Sequence, residues 1–451
     1  MRRNGADTPY DVELEGHYSY KRLFKYVLPS VCMMVVASIY NIVDGFFISN
    51  YAGKDALAAV NLVIPVDMAL SAVGFMIGSG GSALVSFTLG EGRREQANRI
   101  FSMLVAVLTV VGVVISAIGY LCMPGIARLL GASEQILGDC TRYGRILMIS
   151  LTGFMLQNAY LNFLMAAGKG KLGLIISSCC GGMNIILDYI LVYRLDLGII
   201  GAGTATAVCE LSGGVIPTIY FLCRNKSALR LARFPMLWRE LWKTCTNGIS
   251  EMLTNLSASV VSMLYNWQLL RIAKEDGVAA YGAIMYVGFI FMSVFFGYSM
   301  GINPLVGYQY GAGQKEELRS IRRKAMKVVV TAGMIMVLGA ELLSGFFVDL
   351  YVGYDRELYA LTLNGFRIYS IAFVFSGFNI FASAFFTGLN NGLVSGMISF
   401  SRTFVFQVIS VLILPALLGI NGVWIAVTVA EACTLLLSVG FFWRYRSRYQ
   451  Y

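Results

Sequence analysis

Seven carboxylates stand inside otherwise apolar stretches of this 451-residue chain: Asp44, Asp67, Asp188, Glu210, Glu251, Glu341 and Glu431. A charge at the centre of a bilayer costs about 3 kcal/mol on insertion scales, so such residues face an interior cavity, an ion path or a partner. Two kinds of chemistry are open to them. Loss of hydration favours the neutral acid, which lets an embedded carboxyl take up and release a proton, and the same oxygens can ligate a bare cation such as Na⁺. Other chemistries lack their parts. The chain has one histidine, His17, so neither a histidine metal site nor a Ser/His/Asp hydrolase can be assembled. Its nine cysteines form no CxxC pair and there is no GxxxxGK[ST] loop, which argues against a redox centre and against direct use of ATP. No enzymatic constellation and no cofactor are expected.

The elements that carry these acids are legible from composition. With 57% hydrophobic and 13% charged residues, the chain holds far more apolar sequence than a soluble core can bury. Crossing a bilayer takes about 20 apolar residues per helix. Twelve such stretches are expected, at 26–50, 57–88, 100–121, 141–166, 172–193, 201–223, 244–271, 278–309, 325–347, 359–386, 393–415 and 422–443. The second six repeat the first at an offset of 221 residues. LVSFTLGEGRRE at 84–95 recurs as LVGYQYGAGQKE at 305–316, and Ala58-Ala59, Gly198-Ile199, Gly201 and Glu210 fall on Ala279-Ala280, Gly419-Ile420, Gly422 and Glu431. Because six is even, the copies are parallel repeats related by an axis along the membrane normal. The fold class is therefore an all-α polytopic membrane protein of two six-helix repeats.

Residues 1–25 form an N-terminal tail with its first 20 residues disordered, 26–223 and 244–443 the two repeats, 224–243 a basic linker on the membrane surface, and 444–451 a C-terminal tail. Most of the 35 Lys and Arg fall in the tails and in the loops on their side, so both termini are expected in the cytoplasm. That bias also accounts for the net charge of +10 without nucleic acid as a partner. The charged N-terminus is no secretory signal, and the first span serves for insertion into the plasma membrane. A disulfide between Cys122 and Cys140, which flank one outer loop, is conceivable but disfavoured.

The repeat sorts the acids. Asp44 and Asp188 face Tyr265 and Ile409 at the equivalent places, and Glu251 has Ser30 as its counterpart, so these three are specialised to one half. A carboxylate reaching the membrane interface is the plainer alternative for each. Asn184, four residues before Asp188, shares its helix face, while Asn158, Asn162 and Thr206 come from neighbouring spans. These residues make up the candidate cation and substrate site of the first half, with Na⁺ one possible occupant of Asp44, Asp188 and Asn184, and Glu251 is the candidate for a second ion or substrate site in the second half. Glu210 and Glu431 occur in both halves and suit packing or gating. Asp67 follows Pro65, where a kink would free backbone groups. Glu341 has no assigned role. The paired glycine loops read as helix-ending connectors rather than phosphate cradles.

These residues also carry a family resemblance. Tyr40-Asn41-Ile42-Val43-Asp44, Leu57-Ala58-Ala59, Leu89-Gly90-Glu91-Gly92, Leu161-Asn162-Phe163-Leu164, Asn184-Ile185-Ile186-Leu187-Asp188 and the run Gly198 to Thr206 resemble the multidrug and toxic compound extrusion (MATE) family, nearest its bacterial small-drug efflux branch, over about residues 20–445. The resemblance implies two six-helix lobes in a V and export of organic cations in exchange for H⁺ or Na⁺ by a monomer in the lipid bilayer. It places the family's first-lobe cation site on Asp44, Asn184, Asp188 and Thr206, with Asn158 or Asn162 as the fourth-span amide. Glu251 matches the seventh-helix acid of some members. Met165 replaces an arginine found in many relatives, and the tenth span lacks the aspartate that partners the seventh-helix acid. A lipid-linked-precursor flippase of the same superfamily is the alternative activity.

Overall fold

The computed structural model describes residues 14–450 apart from 53, 224, 226 and 354. Among them the chain is helical, without strands. The first repeat comprises α1 (Tyr20–Phe47), α2 (Lys54–Gly90), α3 (Arg94–Leu129), α4 (Glu134–Ala166), α5 (Gly170–Asp188) and α6 (Gly198–Leu222). The second comprises α7 (Trp238–Gly311), α8 (Lys315–Val352), α9 (Arg356–Ser370), α10 (Phe373–Gly388), α11 (Gly392–Phe400), α12 (Phe406–Leu418) and α13 (Ile420–Tyr449). A helix underlies every expected span. Ten helical stretches are long and apolar enough to cross a membrane, and α9 with α10, bent by 46°, makes an eleventh. The twelfth, 244–271, lies in the first arm of α7, which is helical but diluted by Glu251, Thr254, Asn255 and Gln268. Its two arms meet at Lys274, whose φ of 54° and ψ of −141° break the helix between the seventh and eighth spans.

The duplication is visible in packing as well as in sequence. Gly92 and Gly313 take left-handed φ of 77° and 68°, and Gly198 and Gly419 take 53° and 58°, so both pairs of repeat mates turn the chain alike. Tyr160 stacks on Phe221 in the first lobe with interplanar angle 20°, and their mates Phe381 and Phe442 stack at 17° in the second.

The lobes meet along α2 and α7 at the end of the bundle that carries the termini. A Cβ at Gly90 would collide with the Tyr308 carbonyl, and one at Gly311 with the carbonyl of Phe87, the repeat mate of Tyr308. Deeper in the seam Gly80 and Gly248 approach the backbones of Thr244 and Met76 with the same closeness. At the far end of α1 a Cβ on Gly45 would find nothing nearer than the Tyr286 hydroxyl, 4.0 Å away.

One expectation is corrected. The N-terminal tail from Leu14 is docked rather than disordered: Leu14 and Tyr18 are wholly buried, Gln309 Nε2 donates to the Leu14 carbonyl at 2.9 Å, Tyr308 Oη donates to Glu15 at 2.9 Å, and Glu317 accepts from the Tyr18 amide at 2.8 Å. Apolar side chains at 14 and 18 fill a hollow under the second lobe, which the polar composition of the tail conceals; residues 1–13 lie outside the described residues. The nine cysteines, Cys122 and Cys140 included, are free thiols, Cys140 being buried against α2 with its thiol 4.0 Å from the Ala59 carbonyl. The linker straps back onto α3, with Arg230 N donating to Asn98 Oδ1 and Ala232 N to Ser102 Oγ.

Candidate functional site

Asp44 sits one turn before the end of α1 and Asp188 is the last residue of α5. The two carboxyl groups lie within interaction distance of each other. Asp188 is fully buried, and neither of its oxygens receives a hydrogen bond from an N–H or O–H donor of the protein. One Asp44 oxygen and the Asn184 Oδ1, 2% exposed, are also buried without a donor. Glu210 differs, since Ser150 Oγ donates to it at 2.6 Å across α4 and α6. Asp67, continuous within α2 despite Pro65, keeps a buried oxygen without a donor. Tyr143 stands amid Asp44, Asp67, Asp188 and Glu210, and Tyr40 beside Glu210 and Asp44. None of the four ion pairs among the described residues involves these acids. Four carboxyl groups without a cationic neighbour in one lobe form a site where charge must be neutralised from outside the chain's own side chains.

The other expected members have the following surroundings. Asn158 and Asn162 spend their amide donors on carbonyls one turn back in α4, Phe154 and Asn158, each at 3.0 Å, and line the packing of α2 at Gly78. Thr206 is half-buried on α6. Glu251, half-buried in α7, faces Arg402. Glu431, 3% exposed, is paired with Arg402 Nη1 at 3.4 Å and accepts from Asn379 Nδ2 at 2.7 Å. Glu341 accepts from Ser370 Oγ at 2.9 Å and lies 3.7 Å from Arg367, tying α8 to α9.

Sequence reading missed Arg402, Tyr143 and Ser150. For Arg402 a signal was present, a lone guanidinium in the apolar run from Gly392 to Leu418. For Tyr143 and Ser150 there was none, because residues of their types are common in spans. Three π-helical segments mark the same places: Ile48–Ala52 follows Asp44, Tyr189–Arg194 begins directly after Asp188, and Ser401–Val405 contains Arg402. A π-turn inserts a residue and rotates the helix face, and such turns collect at functional sites.

The MatE family model matches residues 29–190 and 251–413, one match per repeat. Multidrug export protein MepA of Staphylococcus haemolyticus (strain JCSC1435) is 23% identical over 434 residues, 95% of this chain and 94% of that protein. Multidrug export protein MepA of Staphylococcus aureus (strain NCTC 8325 / PS 47) is 23% identical over 438 residues, with the same coverage. The fold is that of an outward-facing multidrug resistance MATE family transporter of the MOP superfamily, with a TM-score of 0.91 at 23% identity over 99% of both chains. It is equally that of a MOP superfamily transporter from Pyrococcus furiosus, described by the reversed polarity of its binding pocket, with a TM-score of 0.92 at 22% identity over 99% of this chain and 100% of the other. Duplicated match, paired lobes and embedded acids converge on one assignment, and the chain belongs to the MatE family of multi-pass membrane transporters.

Proposed function

We propose that this transporter exports organic cations, cytotoxic drugs among them, across the plasma membrane in exchange for a coupling cation taken up between Asp44 and Asp188. Both termini lie in the cytoplasm, residues 26–223 and 244–443 act as the two lobes, and one chain suffices for transport. The observation that carries the reading is the facing pair Asp44 and Asp188: Asp188 is buried, three of the four carboxyl oxygens are buried without a donor, and neither residue pairs with a basic side chain among the described residues. Facing carboxylates tolerate each other only when a proton or a cation lies between them. Their loading from one side and drug binding between the lobes then favour opposite openings, which gives alternating access. One charge moving through 100 mV supplies about 2.3 kcal/mol, and the ion gradient adds to it.

H⁺ is the coupling ion that needs no further ligand. Na⁺ is the second reading, and the observation favouring it is the buried Asn184 Oδ1, a neutral oxygen four residues from Asp188 that receives no donor. A flippase for lipid-linked pyrophosphates fits less well. Arg402 is the sole buried lysine or arginine among the described residues, and it is already paired with Glu431. Glu210, Asp67 and Glu431 serve packing and gating.

Ethidium efflux from proteoliposomes, with a proton gradient and a sodium gradient imposed separately, tests the proposal. Efflux under the proton gradient alone makes the aspartates a protonation pair. A sodium requirement makes them ligands. No efflux under either gradient overturns export of cations.

A further inference from the structure

The two lobes solve one electrostatic problem in different ways. In the second, Glu431 is 3% exposed and is held by Arg402 at 3.4 Å and by Asn379, which donates to both its carboxylate and its backbone carbonyl at 2.7 and 2.8 Å. Asn379 is itself held by Ser438 Oγ at 3.1 Å. Arg402, 6% exposed, also faces Glu251 from the side of α7 and lies 6.0 Å from the centre of the Phe296 ring. In the first lobe the repeat mates are changed. The counterpart of Arg402 is Gly181, where a Cβ would come within 2.8 Å of the Tyr40 ring, and Asn158, the counterpart of Asn379, bonds to its own helix.

We infer that Arg402 is a tethered cation: bound to Glu431 and facing Glu251, it supplies to the second lobe's acids, from a position seven residues before the counterpart of Asp188, the neutralising charge that a mobile cation supplies to Asp44 and Asp188 in the first. Ion coupling then runs through the first lobe alone, and Arg402 is a positioning residue that keeps the second lobe's acids neutralised throughout the cycle. The inference rests on the first-lobe coupling proposed above. It follows from charge: Glu251 and Glu431 are two buried or half-buried acids and Arg402 is the guanidinium between them. A buried ion pair that loses one member leaves the other uncompensated, whereas loss of both charges together is tolerated. Damage from removing Arg402 is therefore damage from a bare Glu431, and either a soluble guanidinium or neutralisation of Glu431 relieves it.

Ethidium efflux is measured in proteoliposomes containing wild type, Arg402→Ala, Arg402→Lys, Arg402→Ala with Glu431→Gln, and Asp188→Asn. Arg402→Ala is expected to slow efflux about tenfold or more, with millimolar guanidinium chloride restoring it. Arg402→Lys retains efflux, and the double variant transports without responding to guanidinium. Wild-type efflux by Arg402→Ala, or a loss that neither guanidinium nor Glu431→Gln relieves, overturns the assignment. Should Arg402→Ala fail to fold, Arg402→Met with Glu431→Gln decides: folded and coupled with an unchanged ion-to-drug ratio supports the assignment, folded and inactive overturns it. Wild-type efflux by Asp188→Asn would overturn the first-lobe reading and leave the guanidinium rescue intact. Absence of rescue beside an inactive Asp188→Asn removes the tethered cation only.

Discussion

The first lobe gathers Asp44, Asp67, Asp188 and Glu210 without a basic side chain among them, while the second lobe closes Glu251 and Glu431 around Arg402. Both are built on the same six-helix repeat, with Glu210 and Glu431 at equivalent positions on α6 and α13. Divergence at several positions, Gly181 against Arg402 together with Asp44 against Tyr265, Asp188 against Ile409 and Ser30 against Glu251, separates an acid cluster without a basic side chain from one that carries its own. Duplication thus preserves the frame of helices while the two charge sites differ; in the function proposed above, one lobe senses the ion while the other holds its shape.

The largest expected break in this contrast comes from Asp188→Asn or Asp44→Asn. Either should lower ethidium efflux about a hundredfold, the upper range of a coupling free energy, while protein yield and melting temperature in detergent stay near wild type. Near-normal efflux would show the first lobe not to be the ion site. The second lobe should respond in stability. Glu431→Gln removes the ion pair of the buried Arg402, leaving only the half-buried Glu251 facing it, and should cost about 3 kcal/mol, seen as a marked fall in melting temperature. The matched change in the first lobe, Glu210→Gln, removes no ion pair and leaves an amide oxygen for the Ser150 hydroxyl at a cost of about 1 kcal/mol. Equal falls in the two variants would erase the distinction between the lobes.

A smaller effect is expected at the seam. Gly248→Val would drive its side chain into the Met76 carbonyl, costing about 1 to 3 kcal/mol by overpacking, and spin labels on the two lobes near the terminus-carrying end should report a wider separation. An unchanged distance would show that the tight end of the interface yields without opening. Asn162→Ala should do least, about 1 kcal/mol of stability with efflux changed only a few-fold, because its amide donates to its own helix. An effect as large as that of Asp188→Asn would bring α4 into the ion site.

Much of this was legible in the chain. Apolar stretches of spanning length and the 221-residue offset gave twelve helices and two repeats, and the cost of an embedded charge singled out Asp44, Asp188 and Glu251 before any contact was known. The offset showed which acids belong to one half only. Arg402 carries the same embedded-charge signal as the acids, but as a lone cation among embedded acids it has no repeat mate of its type to mark it, its counterpart being Gly181. The docking of Leu14 and Tyr18 was hidden for a different reason: two apolar side chains in a polar tail mean nothing until a hollow is there to receive them.

What the sequence by itself determined is the run of apolar stretches, their pairing into copies, and the identity of the embedded charges, all of which follow from the local cost of placing a residue type in hydrocarbon. Only the tertiary structure decided which of those charges meet. A helical period gives the face a residue shares with its neighbours four positions away, but not the azimuth of that face against another helix. Here the π-turns after Asp44, after Asp188 and at Arg402 rotate that azimuth within single spans. Asp44 and Asp188 are 144 residues apart in the chain, and it is the packing of α1 on α5 that makes one site of them.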